Sequence, residues 1–124
     1  MIKGFGTDIV EIQRVESSLS RLGDKFAQRI LTPLELKEYQ DSAMPARFLA
    51  KRYCAKEACA KALGTGIGRG VSWQHMSVTH DEFGKPLMPL TDGAAGRMRV
   101  LQGERLHLSL SDEQHYVVAS VIIE

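Results

Sequence analysis

The chain has almost no net charge, no apolar run of membrane-spanning length and only two cysteines. A formal charge of +1 over 124 residues points to no particular partner. It gives no basis for a nucleic acid or a membrane surface as one. No apolar run approaches the roughly 20 residues that cross a bilayer, and the N-terminus lacks the apolar core of a signal peptide. The cysteines, Cys54 and Cys59, fall in one strongly helical stretch, about 140° apart around the helix axis. That placement suits neither a disulfide nor a two-thiolate metal clip. Buried free thiols and a cytoplasmic setting are expected. No internal repeat, low-complexity tract or linker interrupts the sequence, so one domain over residues 1–124 is expected.

What is present is a strand, a run of helices, then more strands. Ile2 to Ile12 carries β-branched weight in Ile9, Val10 and Ile12, with Gly4 and Gly6 loosening its start. Val15, Leu19 and Leu22 recur at helical spacing from Gln13 until Gly23, and a short helical segment follows over Lys25 to Ile30. Thr32-Pro33-Leu34-Glu35 is a capping-box start for a helix to Gln40. The longest helix is expected from Pro45 to Leu63, alanine-rich and stopped by Gly64. Strands are expected over Ser77–His80 and Leu87–Leu90, joined by the turn Gly84-Lys85-Pro86, with a helix over Gly93–Gln102. Arg105–Ser111 alternates leucines with His107, Ser109 and Ser111, and Asp112–Gln114 turns it into the apolar strand Tyr116–Ile123. The fold class is α+β, an antiparallel sheet packed on a long central helix.

The long helix is the most informative stretch. Glu57 and Lys61 are neighbours on one face, which also carries Arg47, Lys51 and the small residues Ala50, Cys54 and Ala58. Such a face leaves room for something to lie against the helix. A Glu-to-Lys pair at i,i+4 is equally a routine helix stabiliser. Asp8 is unfavourable in a strand. It is either an edge residue bonded to backbone or, with Glu57, half of a two-carboxylate Mg²⁺ site completed by waters and a phosphate. The glycine-rich loop Gly64–Gly70 allows backbone N–H groups to approach a phosphate. It also serves simply as a helix stop, because it lacks P-loop and dinucleotide spacing.

Gly6-Thr7-Asp8-Ile9-Val10-Glu11-Ile12 and the segment from Phe48 through Lys56-Glu57-Ala58 to Gly64-Thr65-Gly66-Ile67 resemble the two signatures of the acyl-carrier-protein synthase family of 4′-phosphopantetheinyl transferases. The resemblance covers essentially the whole chain. It implies transfer of 4′-phosphopantetheine from coenzyme A to a serine of acyl carrier protein, a step of fatty acid biosynthesis. It further implies a small trimer with sites between subunits. Position by position, it makes Asp8 and Glu57 the Mg²⁺ ligands. Glu57, directly or through water, helps remove the serine proton, and Lys61 neutralises or protonates the departing bisphosphate. Arg47, Lys51, Arg52, Gly64, Gly66, Pro86, His107 and Ser109 become coenzyme-binding candidates. Many members carry a His where this chain has Asp112, which is given no role. An acidic carrier fits the exposed basic strip of Arg14, Arg21 and Lys25. A non-catalytic coenzyme-binding module would not need both Asp8 and Glu57, and a purely structural domain leaves Asp8 unexplained.

Overall fold

The computed structural model describes residues 1–124. Strand β1 (Gly4–Glu11) leads into helices α1 (Ile12–Leu22), α2 (Asp24–Ile30), α3 (Pro33–Gln40) and α4 (Pro45–Ala62). After the glycine loop and one 3-10 turn (Trp73–His75) come β2 (Thr79–His80), β3 (Pro86–Leu87), α5 (Asp92–Val100), β4 (Leu106–Asp112) and β5 (Tyr116–Ile123). The main sheet is antiparallel in the order β1-β5-β4, and β2 pairs with β3 in a separate ribbon. The α+β class stands, with the sheet laid against α4.

The small side chains of α4 receive the chain's own sheet. Ala50, Cys54 and Ala58 are fully buried, facing Val117, Ala119 and Val121 of β5, which are fully buried too. Gly6 and Gly4 do more than loosen β1. A Cβ at Gly6 would collide with the carbonyl of Ala58, and one at Gly4 with the carbonyl of Ala62. Backbone therefore packs directly on backbone, and β1 comes close enough for Cys54 Sγ to donate to the Asp8 carbonyl at 3.3 Å. Burial pushes both thiols up to about 12, so they stay protonated and unpaired.

Element boundaries moved where prolines or helix packing intervene. Ile12 opens α1 as a buried residue and does not close β1. The expected strands over 77–80 and 87–90 shrink to two residues each, because Pro86 and Pro89 have no N–H to donate to a ladder. Only a single bridge, Met76 to Leu90, continues the pairing.

The capping residue Glu35 has a larger part than a helix start demands. It is fully buried and accepts from Thr32 N (3.0 Å), Val78 N (2.9 Å) and Lys56 Nζ (2.6 Å). Lys56, also fully buried, gives its other donors to the carbonyls of Ile30 at 2.6 Å and Trp73 at 3.2 Å. Burial lowers the Lys56 pKa, and Glu35 pulls it back up. This polar knot ties α3, α4 and the loop after α4 together inside an otherwise apolar core.

Candidate active site

Side chains alternate along β1, so Gly6, Asp8 and Val10 point toward α4 while Phe5, Thr7 and Ile9 point away. The close approach at Gly6 thus delivers Asp8 to the last turns of α4. Lys61 Nζ donates to Asp8 Oδ1 and to the Thr7 carbonyl, each at 2.9 Å. The Asp8 side chain is 17% exposed and that of Lys61 54%. Glu57, one turn earlier on α4, joins Asp8 in the wall of a cleft of about 560 Å³. Tyr53, Phe26, Ser18, Glu11 and Arg14 complete much of the lining. Tyr53 sits one further turn back. Burial first, and then the Glu57 carboxylate, push its hydroxyl up to about 12, so it is a neutral hydrogen-bond donor at physiological pH. Trp73 donates from Nε1 to Glu57 Oε2 at 3.2 Å.

Asp8, Glu57 and Lys61, expected together from sequence, are together here. The remaining candidates are dispersed. Arg47 Nη1 donates to Asp112 Oδ2 at 2.8 Å and to the Glu113 carbonyl at 2.7 Å, and Nη2 donates to the Gln114 carbonyl at 2.9 Å. Lys51 Nζ lies 3.7 Å from the same Asp112. Asp112 is therefore the counter-ion of two coenzyme candidates, and the three fasten the β4–β5 turn to α4. Arg52 departs from its expected place. It is 5% exposed, lies 3.7 Å from Glu35 and 3.5 Å from Glu38, and stacks over the Phe48 ring at 4.5 Å. Its charge is used inside the fold, because helical periodicity turns it away from the Glu57 face toward α3.

The glycine loop acts as a helix stop. Gly64 N donates to the Lys61 carbonyl at 3.0 Å and Gly66 N to that of Ala60 at 3.1 Å, so neither N–H is left for a phosphate. What these residues leave is backbone surface without side chains, at φ of 80° and 64°. Pro86 pairs with His80 in the separate ribbon. His107 and Ser109 are exposed, on the sheet face opposite Asp8, and His107 Nε2 meets Glu124 Oε1 at 2.9 Å. No single chain joins them to the carboxylate cleft. Arg14 lies at the cleft rim, 86% exposed at its side chain and 3.8 Å from Glu11. Arg21 and Lys25 are exposed further along α1 and α2.

Tyr53 and Trp73 were missed from sequence. Tyr53 was within reach of the helical argument, four residues before Glu57. Trp73 carried no local signal, since its neighbourhood is fixed by the loop's return across α4.

A carboxylate pair from two elements beside an exposed lysine suits the charge stabilisation that phosphoryl transfer requires. The model of the 4′-phosphopantetheinyl transferase superfamily matches residues 4–120, and the chain belongs to that family. The holo-[acyl-carrier-protein] synthase of Shewanella denitrificans is 57% identical over 123 residues, covering 99% of this chain and 98% of its own. That of Vibrio cholerae is 54% identical over 124 residues, covering 100% and 98%. Among solved structures, the holo-[acyl-carrier-protein] synthase of Neisseria meningitidis superposes with a TM-score of 0.94 at 43% identity, covering 100% of this chain and 99% of that one. The Bacillus anthracis enzyme in complex with CoA (3′,5′-ADP) gives 0.82 at 37%, covering 99% and 96%.

Proposed function

We infer that this chain is a holo-[acyl-carrier-protein] synthase. It transfers 4′-phosphopantetheine from coenzyme A to a serine of apo acyl carrier protein and releases adenosine 3′,5′-bisphosphate, for fatty acid biosynthesis. The observation that carries this is a cleft walled by both Asp8 and Glu57, with Lys61 bonded to Asp8, in a chain of this family.

The reaction depends on Mg²⁺, held by Asp8 and Glu57. The donor set fits: Mg²⁺ takes one or two carboxylates and completes its shell with waters and phosphate oxygens. No group of three acidic, His or Cys side chains is present that would build a closed cage. When bound, the ion neutralises charge on the coenzyme pyrophosphate. Glu57 accepts the proton of the serine hydroxyl as that oxygen bonds to the phosphopantetheine phosphorus. The bond from phosphorus to the bridging oxygen breaks, and the leaving bisphosphate takes charge neutralisation or a proton from Lys61. An ammonium has three donors; Asp8 and Thr7 use two, which leaves one for that phosphate.

Arg47 and Lys51 hold coenzyme phosphates by exchanging Asp112 for them, and Gly64, Gly66 and Pro86 border the same groove. Arg52 is removed from this set by its burial. His107 and Ser109 reach the coenzyme from a neighbouring subunit of a homotrimer. In support, Phe5 and Ile9 are 61% and 64% exposed on their sheet face, in register with Ile122 and Val118, an apolar surface suited to another subunit. Arg14, Arg21 and Lys25 dock the acidic carrier beside the cleft, which would raise encounter rate more than affinity. Buried free thiols suit a cytoplasmic enzyme.

Intact mass spectrometry of an apo carrier protein, incubated with the enzyme, coenzyme A and Mg²⁺, tests this. One added phosphopantetheine per carrier is expected. Asp8→Ala and Glu57→Ala should each abolish the addition with the fold intact. No mass gain with wild type would sink the function, and near-normal transfer by either variant at limiting Mg²⁺ would sink the site.

A further inference from the structure

Glu57 is held by its own chain. Trp73 Nε1 donates to Glu57 Oε2 at 3.2 Å. An indole N–H only donates, so it can neither take a proton from the carboxylate nor reverse the bond. The turn that bears it is tied down through its neighbours. Ser72 Oγ accepts from Gln74 N at 3.1 Å, and His75 Nδ1 accepts from Ser72 N at 3.2 Å. The Gln74 amide donates to the carbonyls of Gln28, Arg29 and Leu31 at 3.0, 3.1 and 2.8 Å. The buried Lys56 ammonium holds the Trp73 carbonyl itself. The indole packs against Tyr53, ring centroids 6.3 Å apart and tilted by 42°. A turn fixed this firmly has its aromatic ring oriented before any ligand arrives. If filling space were the only demand, a ring without an N–H would meet it.

We propose that Trp73 is a positioning residue for the transfer: its indole N–H fixes one oxygen of Glu57, so that the rest of the carboxylate meets cation and serine in a single orientation. This rests on the reading of Glu57 as part of the reaction centre. A freely rotating carboxylate would have to be ordered at every turnover, whereas one already anchored is preorganised. Trp73 is also the chain's only tryptophan, so its emission reports on that carboxylate without any activity measurement.

The test compares wild type with Trp73→Phe and with a protein carrying 3-benzothienylalanine at position 73, which keeps the bicyclic shape and lacks the N–H. A hydrogen bond to a charged group supports an expected kcat loss of about tenfold or more in both. The Mg²⁺ concentration for half-maximal rate should rise, and KM for carrier protein should stay within about twofold, because carrier binds through the rim. The benzothienyl protein should melt with wild type, separating the lost N–H from lost packing. In wild type with coenzyme A, Mg²⁺ should shift Trp73 emission, and Asp8→Asn should abolish the shift. Wild-type kcat and Mg²⁺ dependence in the benzothienyl protein overturn the positioning role, as does emission that ignores saturating Mg²⁺. Full activity in Glu57→Gln overturns the reading of Glu57 and the positioning role with it; an inactive Glu57→Gln beside an unimpaired benzothienyl protein overturns the positioning role alone.

Discussion

Replacing Lys56 by Met tests the polar knot beneath the site. Met fills nearly the same volume, so little is lost in packing. What disappears is the ammonium that serves Glu35 at 2.6 Å and the carbonyls of Ile30 and Trp73. Glu35, fully buried, then keeps two backbone N–H donors, the Thr32 hydroxyl at 3.2 Å and Arg52 at 3.7 Å. Removing one member of a buried pair costs about 3–5 kcal/mol. With an unfolding entropy of roughly 2.1 cal/mol/K per residue, a chain of this length should lose about 15 °C in Tm for a loss of about 4 kcal/mol. Differential scanning calorimetry at matched protein concentration measures it. Adding Glu35→Gln should recover a good part, since it removes the stranded charge yet leaves an acceptor for Thr32 N or Val78 N. A Lys56→Met protein melting within about 3 °C of wild type would falsify the reasoning, because about 1 kcal/mol is too little for a buried carboxylate that has lost its ammonium partner.

Other perturbations test the remaining parts. Gly6→Ala should cost about 1–3 kcal/mol by thrusting a methyl at the Ala58 carbonyl. Because Asp8 lies two residues on, transfer should fall by about tenfold or more; circular dichroism melts with a transfer assay check both, and unimpaired activity would show that β1 can shift without moving Asp8. Alkaline stability follows from the two thiols, which burial pushes up to about 12 from an ordinary value of 9.0. With folded pKa above unfolded, their contribution is complete below pH 9 and is lost as pH climbs toward 12, at roughly 1.4 kcal/mol per thiol per pH unit. A Tm that stays flat between about pH 9 and pH 11 would contradict this burial. Arg14→Glu with Arg21→Glu should raise the apparent KM for carrier protein far more than that for coenzyme A, and should blunt the fall of wild-type turnover with salt. Equal KM changes for both substrates would instead place an arginine in the coenzyme groove.

The legible parts of this molecule are those that local pattern determines. Caps, periodicity and glycine stops placed α3, α4 and β5 to within a residue or so, as in the capping box at Thr32 and the strand Tyr116–Ile123. The pairing of Asp8 with the Lys61 side of α4 was reachable because an acidic residue in an apolar strand demands a partner. The same logic did not reach Arg52, expected among the coenzyme-binding residues, or Lys56, to which the sequence assigns no role. Their burial depends on Glu35, 21 residues before Lys56, which local pattern shows only as a cap. The small-residue stripe of Ala50, Cys54 and Ala58 marks a place for something to lie, and the chain's own sheet fills it. Helical spacing could not say whether that was a ligand or the chain's own sheet; the absence of a Cβ at Gly6 decides for the sheet.

The two faces of that sheet divide the chemistry. The inner face delivers Asp8 to Glu57 and Lys61, and nothing further is needed from another chain to bring those three together. The outer face presents His107 and Ser109 beside exposed Phe5 and Ile9. Strand alternation forbids one chain from turning both sets toward one ligand. On the proposed reading, the residues that would touch the reacting phosphate lie inside the fold, and His107 and Ser109 would reach the coenzyme only from across a subunit boundary. Loss of assembly should accordingly weaken coenzyme binding before it disturbs the geometry of Asp8, Glu57 and Lys61. A charged residue in place of Phe5 would separate the two effects: sedimentation should show monomers with a raised coenzyme A KM, while Trp73 emission, which reads the Glu57 side, should stay that of wild type.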